Sequence, residues 1–145
     1  MKKLESASNP NIINCVKNFE KKEEQNYIIV IEYCNDESLK DLIQKYKTKN
    51  KKISESEVLK FMRQMLLGIN TIHKNNIIHG DLNPSNILIN SKGDIKLPGF
   101  ELTRDLSEFS VNSTMGTTFY SSPEILKGDK RTFQCNILLV QTFGH

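Results

Sequence analysis

The chain has 145 residues with 20 basic and 17 acidic side chains, a net charge of +3, too mixed and slight to attract nucleic acid or a membrane surface by charge alone. Three cysteines (Cys15, Cys34, Cys135) stand far apart with no C-x-x-C pair, which excludes zinc-finger spacing and a disulfide framework and suits free thiols in a reducing compartment. No run is apolar for long enough to cross a bilayer, and Met1-Lys2-Lys3 leads into polar residues, so a cytoplasmic protein without nucleic-acid or membrane partners is expected.

Pro10-Asn11-Ile12-Ile13 opens an extended run, and Cys15, Phe19 and the charged turn Glu20-Lys21-Lys22-Glu23-Glu24 predict a strand closing into a hairpin. Tyr27-Ile28-Ile29-Val30-Ile31 is a continuous apolar run, which predicts a strand buried on both faces. Leu39, Leu42, Ile43 and Tyr46 recur at helical spacing and predict a short amphipathic helix. Lys45, Lys47, Lys49, Lys51 and Lys52 follow as a basic connector. With no aromatic platform beyond Tyr46, they read as a solvated face and not a nucleic-acid site.

The next helix carries the strongest signals. Ser54-Glu55-Ser56-Glu57 has the form of a capping box, flanked by Ile53 and Val58 as a hydrophobic staple. Val58, Met62, Met65, Leu66, Ile69 and Ile72 predict its buried face. Its end falls near Lys74-Asn75-Asn76, where an asparagine suits a left-handed cap, and His73 reads as a helix-end histidine.

His79-Gly80-Asp81-Leu82-Asn83-Pro84-Ser85-Asn86-Ile87-Leu88-Ile89 then sets a carboxylate and a carboxamide on a polar loop before an apolar strand. That spacing suits phosphoryl transfer: Asp81 can take the proton of an attacking hydroxyl, and Asn86 can offer an oxygen to Mg²⁺. A strand over Asn86 to Asn90, a turn over Asn90-Ser91-Lys92-Gly93-Asp94 and a return over Ile95-Lys96-Leu97 form a second hairpin.

The loop resembles the catalytic loop of eukaryotic protein kinases, H-R-D-L-x-x-x-N followed by a strand. Asn9-Pro10-Asn11-Ile12 is similar to the family's H-P-N-I, and Gly116 to Leu126 resembles G-T-x-x-Y-x-[AS]-P-E-[IV]-L, close to serine/threonine kinases of the NIMA-related type. The resemblance implies an α+β, incomplete protein-kinase-like fold over residues 1–145. Residues 1–33 would be a remnant of the N-lobe and 34–145 the first, mainly helical half of the C-lobe. It implies Asp81 as proton acceptor and Asn86 as a metal ligand. Ile31 becomes the gatekeeper, the Glu32 carbonyl and Cys34 amide the adenine-binding hinge, and Leu88 the floor beneath adenine. Asp36-Glu37-Ser38 stands where the family often has an acid that contacts ribose. Ser113, Thr114 and Thr117 fall in the implied activation segment, and Lys130 to His145 in the helix that anchors the C-lobe.

The departures govern function. Gly80 replaces the loop Arg and Asn83 the loop Lys; Pro98-Gly99-Phe100-Glu101 keeps the Phe of D-F-G but has Gly99 for its Asp and Glu101 for its Gly. Asn136 replaces the Asp of D-x-W-S-x-G. The Gly-rich loop, the ATP-binding Lys and its partner Glu would all precede Met1, and the last C-lobe helices would follow His145. ATP and Mg²⁺ are the implied cofactors, with binding expected to be weak or absent. The expected function is a catalytically inactive kinase-like fragment that binds a protein, either another kinase or a kinase substrate. The alternatives are an active Ser/Thr kinase transferring the ATP γ-phosphate, or a truncated gene product without function.

Overall fold

The computed structural model describes residues 9–21, 26–34, 37–79, 82–97, 104–105 and 127. Its first elements are β1 (Cys15–Lys21) and β2 (Asn26–Ile31), an antiparallel pair that forms a sheet of its own. The register slips between Cys15 and Lys17, and Val16 at the slip is exposed. The expectation of burial on both faces is corrected here: Ile28, Val30 and Ile31 are 45%, 41% and 45% exposed. Phe19 and Lys17, their cross-strand neighbours at Ile28 and Val30, share that open face, with the Lys17 ammonium 4.7 Å from the Phe19 ring centre. β-Branched residues fit the pleat of a strand, which sets its conformation without setting how many faces are covered.

β3 (Glu37–Ser38) runs directly into α1 (Leu39–Thr48). Ser38 caps that helix: its hydroxyl accepts from the Asp41 N–H at 3.2 Å, and the Asp41 carboxylate accepts from the Ser38 N–H at 3.0 Å. Leu39 is buried, and Leu42 and Ile43 pack against the core, as the helical spacing predicts. The basic connector begins inside the helix, because Lys45 and Lys47 occupy its last turn, where the helix dipole favours cations.

α2 (Glu55–Lys74) starts as its sequence signals predict, with the Ser54 hydroxyl accepting from the Glu57 N–H. The Glu57 carboxylate, however, accepts from the Tyr46 hydroxyl at 3.2 Å, tying the two helices together. Asn75 caps the end, and Asn76 adopts the left-handed conformation at φ 57°. The buried face is Phe61, Met65, Gly68, Ile69 and Ile72. Leu66 is not on it: it is 44% exposed, one residue and about 100° past Met65.

β4 (Ile77–Ile78), β5 (Leu88–Ile89), β6 (Ile95–Lys96) and β7 (Arg104–Asp105) are the remaining elements among the described residues. β3, β5 and β6 form one antiparallel sheet in that order, while β4 pairs with β7. The strand expected over Asn86 to Asn90 is confined to Leu88–Ile89, because Asn86 closes a turn by donating its N–H to the Asn83 carbonyl at 2.9 Å. The turn from Asn90 to Asp94 is as expected, with the Asn90 side chain accepting from the Lys92 and Asp94 N–H groups and Gly93 at φ 71°.

The result is an α+β fold whose described residues share a hydrophobic core. Ile12, Leu39, Phe61, Met65, Ile69, Ile72, Leu82, Ile87, Ile89, Ile95 and Leu97 form it. Two backbone hydrogen bonds fix the segment before β1 to the residue after β6: Ile13 N–H donates to the Leu97 carbonyl and Leu97 N–H to the Asn11 carbonyl, together making a parallel bridge between Ile12 and Leu97.

Candidate functional site

The polar loop after β4 is placed by the N-terminus of α1. Helical amides at such an end lack partners within the helix, and here the Leu39 N–H donates to the Ile87 carbonyl at 2.8 Å and the Lys40 N–H to the Pro84 carbonyl at 3.0 Å. Within the loop, the Asn83 side chain accepts from the Ser85 N–H at 3.0 Å, an Asx turn of the kind asparagine supports. Among the described loop residues, His79, Leu82, Asn83 and Pro84 are buried, Asn86 is half-buried and Ser85 is exposed. Asp81, the expected proton acceptor, lies outside the described residues, as do Gly80, Gly99, Glu101, Ser113, Thr114, Thr117 and the expected last helix.

The residues expected near adenine are spread over two sheets, with Ile31 on β2, Leu88 on β5 and Cys34 between β2 and β3. Ile31 ends β2 with its side chain 45% exposed, and Cys34 is buried. Ser38, four residues beyond Cys34, pairs with Leu88, so β3 brings the segment after the hinge beside Leu88. Burial pushes the Cys34 thiol above its ordinary value, and the nearby Glu32 charge pushes it further against the opposing effect of Lys96. That makes Cys34 a packed, unreactive thiol.

Glu32 is the charged centre of this region. Its Oε1 accepts from the Asn14 N–H at 2.7 Å and from the Lys96 ammonium at 2.8 Å, while its own N–H donates to the Asn14 carbonyl at 2.9 Å. Partial burial by itself would raise the Glu32 pKa, but the Lys96 and Asn14 hydrogen bonds outweigh it and hold the carboxyl below the usual glutamate value. The folded state therefore binds fewer protons at Glu32 than the unfolded one. The stability Glu32 contributes is full above the ordinary glutamate range and is lost as pH falls through the lowered folded value. Urea unfolding of the parent protein and Glu32→Gln is expected to show a gap at pH 7 that narrows towards pH 3. A gap that widens on acidification would contradict this assignment.

The sequence reading missed Asn14 and Lys96. A signal was available, since Glu32 follows the apolar β2 run and Lys96 interrupts the apolar Ile95–Leu97 run. Opposite charges lodged beside core strands commonly seek each other. Two further groups support the site from α2. Asn9 Nδ2 donates to the Leu67 carbonyl at 3.1 Å and the Thr71 hydroxyl at 2.6 Å. Lys60 and Gln64 both grip Asp94, at 2.9 and 2.8 Å, and Gln64 also accepts from the Ile95 N–H. Hydrogen bonds from these two side chains hold the Asp94 carboxyl below its ordinary value.

Among the described residues, no group of three or more His, Cys, Asp and Glu side chains is placed to hold a metal ion. No described helix is long and apolar enough to cross a membrane.

The family model described as protein kinase domain matches residues 1–138. The chain is 36% identical over 129 residues to the probable serine/threonine-protein kinase MARK-C of Dictyostelium discoideum, covering 88% of this chain and 16% of that protein. It is 35% identical over 135 residues to serine/threonine-protein kinase PrkC of Bacillus subtilis, covering 91% of this chain and 20% of that one. Against the G2-specific protein kinase fin1 of Schizosaccharomyces pombe it is 31% identical over 145 residues, covering 86% and 20%. The chain thus spans about a fifth or less of the length of these relatives.

Proposed function

The chain belongs to the protein kinase family, and from that premise we propose a serine/threonine-type, NIMA-related-like kinase segment that has lost phosphoryl transfer and acts by binding protein. Residues 1–33 act as its N-lobe portion and 34–145 as its C-lobe portion. The observation that carries this reading is Gly99, which stands where the family's D-F-G places the carboxylate for Mg²⁺.

The protein's part in phosphoryl transfer is to position groups and to neutralise charge. Mg²⁺ at such sites is held by one or two carboxylates together with substrate phosphates. Asn86 offers one neutral carboxamide oxygen and Gly99 offers no side chain, a donor set that does not fit the ion. Glu101 sits two positions from the required place, at the position of the family's flexible Gly. Asp81 retains the chemistry of a proton acceptor, which alone supplies only about 10²–10⁴-fold in rate. The hinge backbone at Glu32 and Cys34, with Ile31 and Leu88, keeps the groups that would meet adenine, while Gly99 gives the metal that holds the phosphates no carboxylate. Gly80 in place of the loop Arg removes one cation that would receive a phosphate on Ser113, Thr114 or Thr117. The remaining loop and helix surfaces are then free to serve as a docking platform for another kinase or a kinase substrate.

Purified protein incubated with Mg²⁺-ATP and generic serine/threonine substrates is expected to give no incorporation above buffer, and Asp81→Ala is expected to be indistinguishable from the parent. Incorporation that disappears in Asp81→Ala would overturn the reading and establish an active kinase with an altered metal site.

A further inference from the structure

The positive charge of this chain is concentrated between α1 and α2. Lys45, Lys47, Lys49, Lys51 and Lys52 fall within eight residues that include no acid, and setting these five aside leaves 15 of the 20 basic side chains against 17 acidic ones. All five are exposed. Lys45 pairs with Glu37 at 3.3 Å, and among the described residues no acid stands within ion-pair distance of the other four. Lys60 and Lys96, by contrast, each meet an acid, Asp94 at 2.9 Å and Glu32 at 2.8 Å. Nor is the connector loose chain. Asn50 takes the left-handed conformation at φ 49°, its N–H donates to the Lys47 carbonyl at 3.0 Å, and the Lys51 N–H reaches back to the Tyr46 carbonyl at 3.0 Å, closing α1 as a left-handed cap does. Beyond it the Ser54 hydroxyl caps α2, and the Tyr46 hydroxyl ties α1 to Glu57. The fold thus holds four unpaired ammonium groups near one another on an ordered turn, against their mutual repulsion.

We propose that the α1–α2 connector is a docking surface for an acidic, extended segment of a partner protein, which rests on the protein-binding role proposed above and names the chemistry of the partner. Charge complementarity carries it: the carboxylates of such a segment relieve the repulsion among Lys47, Lys49, Lys51 and Lys52. Because the turn is already closed by its own backbone bonds, binding does not have to order it. In an extended chain alternate side chains share a face at about 6.6 Å spacing, and the long lysine stem lets each ammonium reach a carboxylate without a fixed bidentate geometry. Two other polyanions fit less well. The connector has no arginine, and its one aromatic residue, Tyr46, is half-buried with its hydroxyl engaged by Glu57, so no platform is presented to a nucleic-acid base. No exposed large apolar side chain lies among the lysines to enter a lipid surface.

Fluorescence anisotropy on the full chain tests it with a dye-labelled Glu-Gly repeat peptide, its Lys-Gly counterpart and oligouridylate, alongside co-sedimentation with vesicles of phosphatidylcholine and phosphatidylserine. The Glu-Gly peptide is expected to bind and the Lys-Gly peptide not to. Lys49→Gln/Lys51→Gln is expected to weaken the Glu-Gly complex by roughly tenfold, the scale of two exposed ion pairs. Lys17→Gln/Lys74→Gln removes the same charge from β1 and the far end of α2, and should weaken it by less than about twofold. Salt at about 1 M, where charges are screened beyond about 3 Å, should abolish binding. Equal weakening in the two double variants would overturn the docking surface, because the peptide would then be sensing net charge alone. So would failure of the Glu-Gly peptide to bind, or tighter binding of the RNA or the vesicles to the same lysines. The peptide is read without nucleotide, so its failure is distinct from Asp81-dependent incorporation in the Mg²⁺-ATP assay, which would overturn only the loss of phosphoryl transfer.

Discussion

Ile95→Ala is expected to lower the free energy of unfolding by about 2–5 kcal/mol, the range for deleting a buried isoleucine side chain in a core that cannot close over the gap. Ile95 is 0% exposed, as is Ile87, its companion in the core. It is also pinned at the backbone: its N–H donates to Gln64, its carbonyl accepts from the Asn11 side chain, and β6 pairs it with Ile89. Neighbours restrained in this way cannot move inward to fill a cavity. Urea unfolding against Leu66→Ala makes the comparison. Leu66 was expected on the buried helix face but is 44% exposed, so its truncation should change stability by no more than about 0.5 kcal/mol. Since a domain's whole margin is only about 5–15 kcal/mol, the two variants should separate clearly. Equal losses would place β6 outside the core.

What the sequence revealed was mostly local. The Ser54 cap, the left-handed Asn76 and the Asn90–Asp94 turn are each written in a handful of consecutive residues, and each is found where expected. Pairings between distant segments carry no such signature. Neither the β3–β5 ladder nor the β4–β7 pair was anticipated, because two-residue strands are too short to show alternation. The Ser38–Asp41 capping box was overlooked for a related reason: its helix begins directly from a strand, without the loop that usually marks a helix start. The β1–β2 hairpin shows a different limit, since the same β-branched run serves a strand covered on one face or on both. At the candidate site, the chemistry of Asp81, Asn86 and Gly99 was legible as motif and as departure from motif. The support from Asn9, Asn14 and Lys96 depends on separations of 18 to 64 residues along the chain and needed the fold to be seen.

Gly68→Leu is expected to destabilise the fold by about 1–3 kcal/mol through overpacking. Gly68 lies inside α2, where glycine is itself unfavourable by about 1 kcal/mol relative to alanine, so its presence there calls for a compensating reason. The reason is space, not backbone conformation. A Cβ at this position would lie 2.6 Å from Leu97 Cδ1 and 3.3 Å from the Asn11 carbonyl oxygen. The leucine methyl has no room to swing aside, because Leu97 is 1% exposed and surrounded by core. The Asn11 carbonyl is less able to move, because it accepts from the Leu97 N–H at 2.9 Å while the Asn11 side chain donates to the Ile95 carbonyl at 3.0 Å. A leucine would therefore push α2 away from the junction that joins residues 11–13 to β6, immediately before Pro98 and Gly99. Urea unfolding gives the stability loss, and hydrogen exchange locates it: the Ile13 and Leu97 amides should lose protection before those of Phe61 and Met65. A Gly68→Leu protein as stable as the parent, with those two amides still protected, would show that helix and junction are not packed as closely as their separation requires.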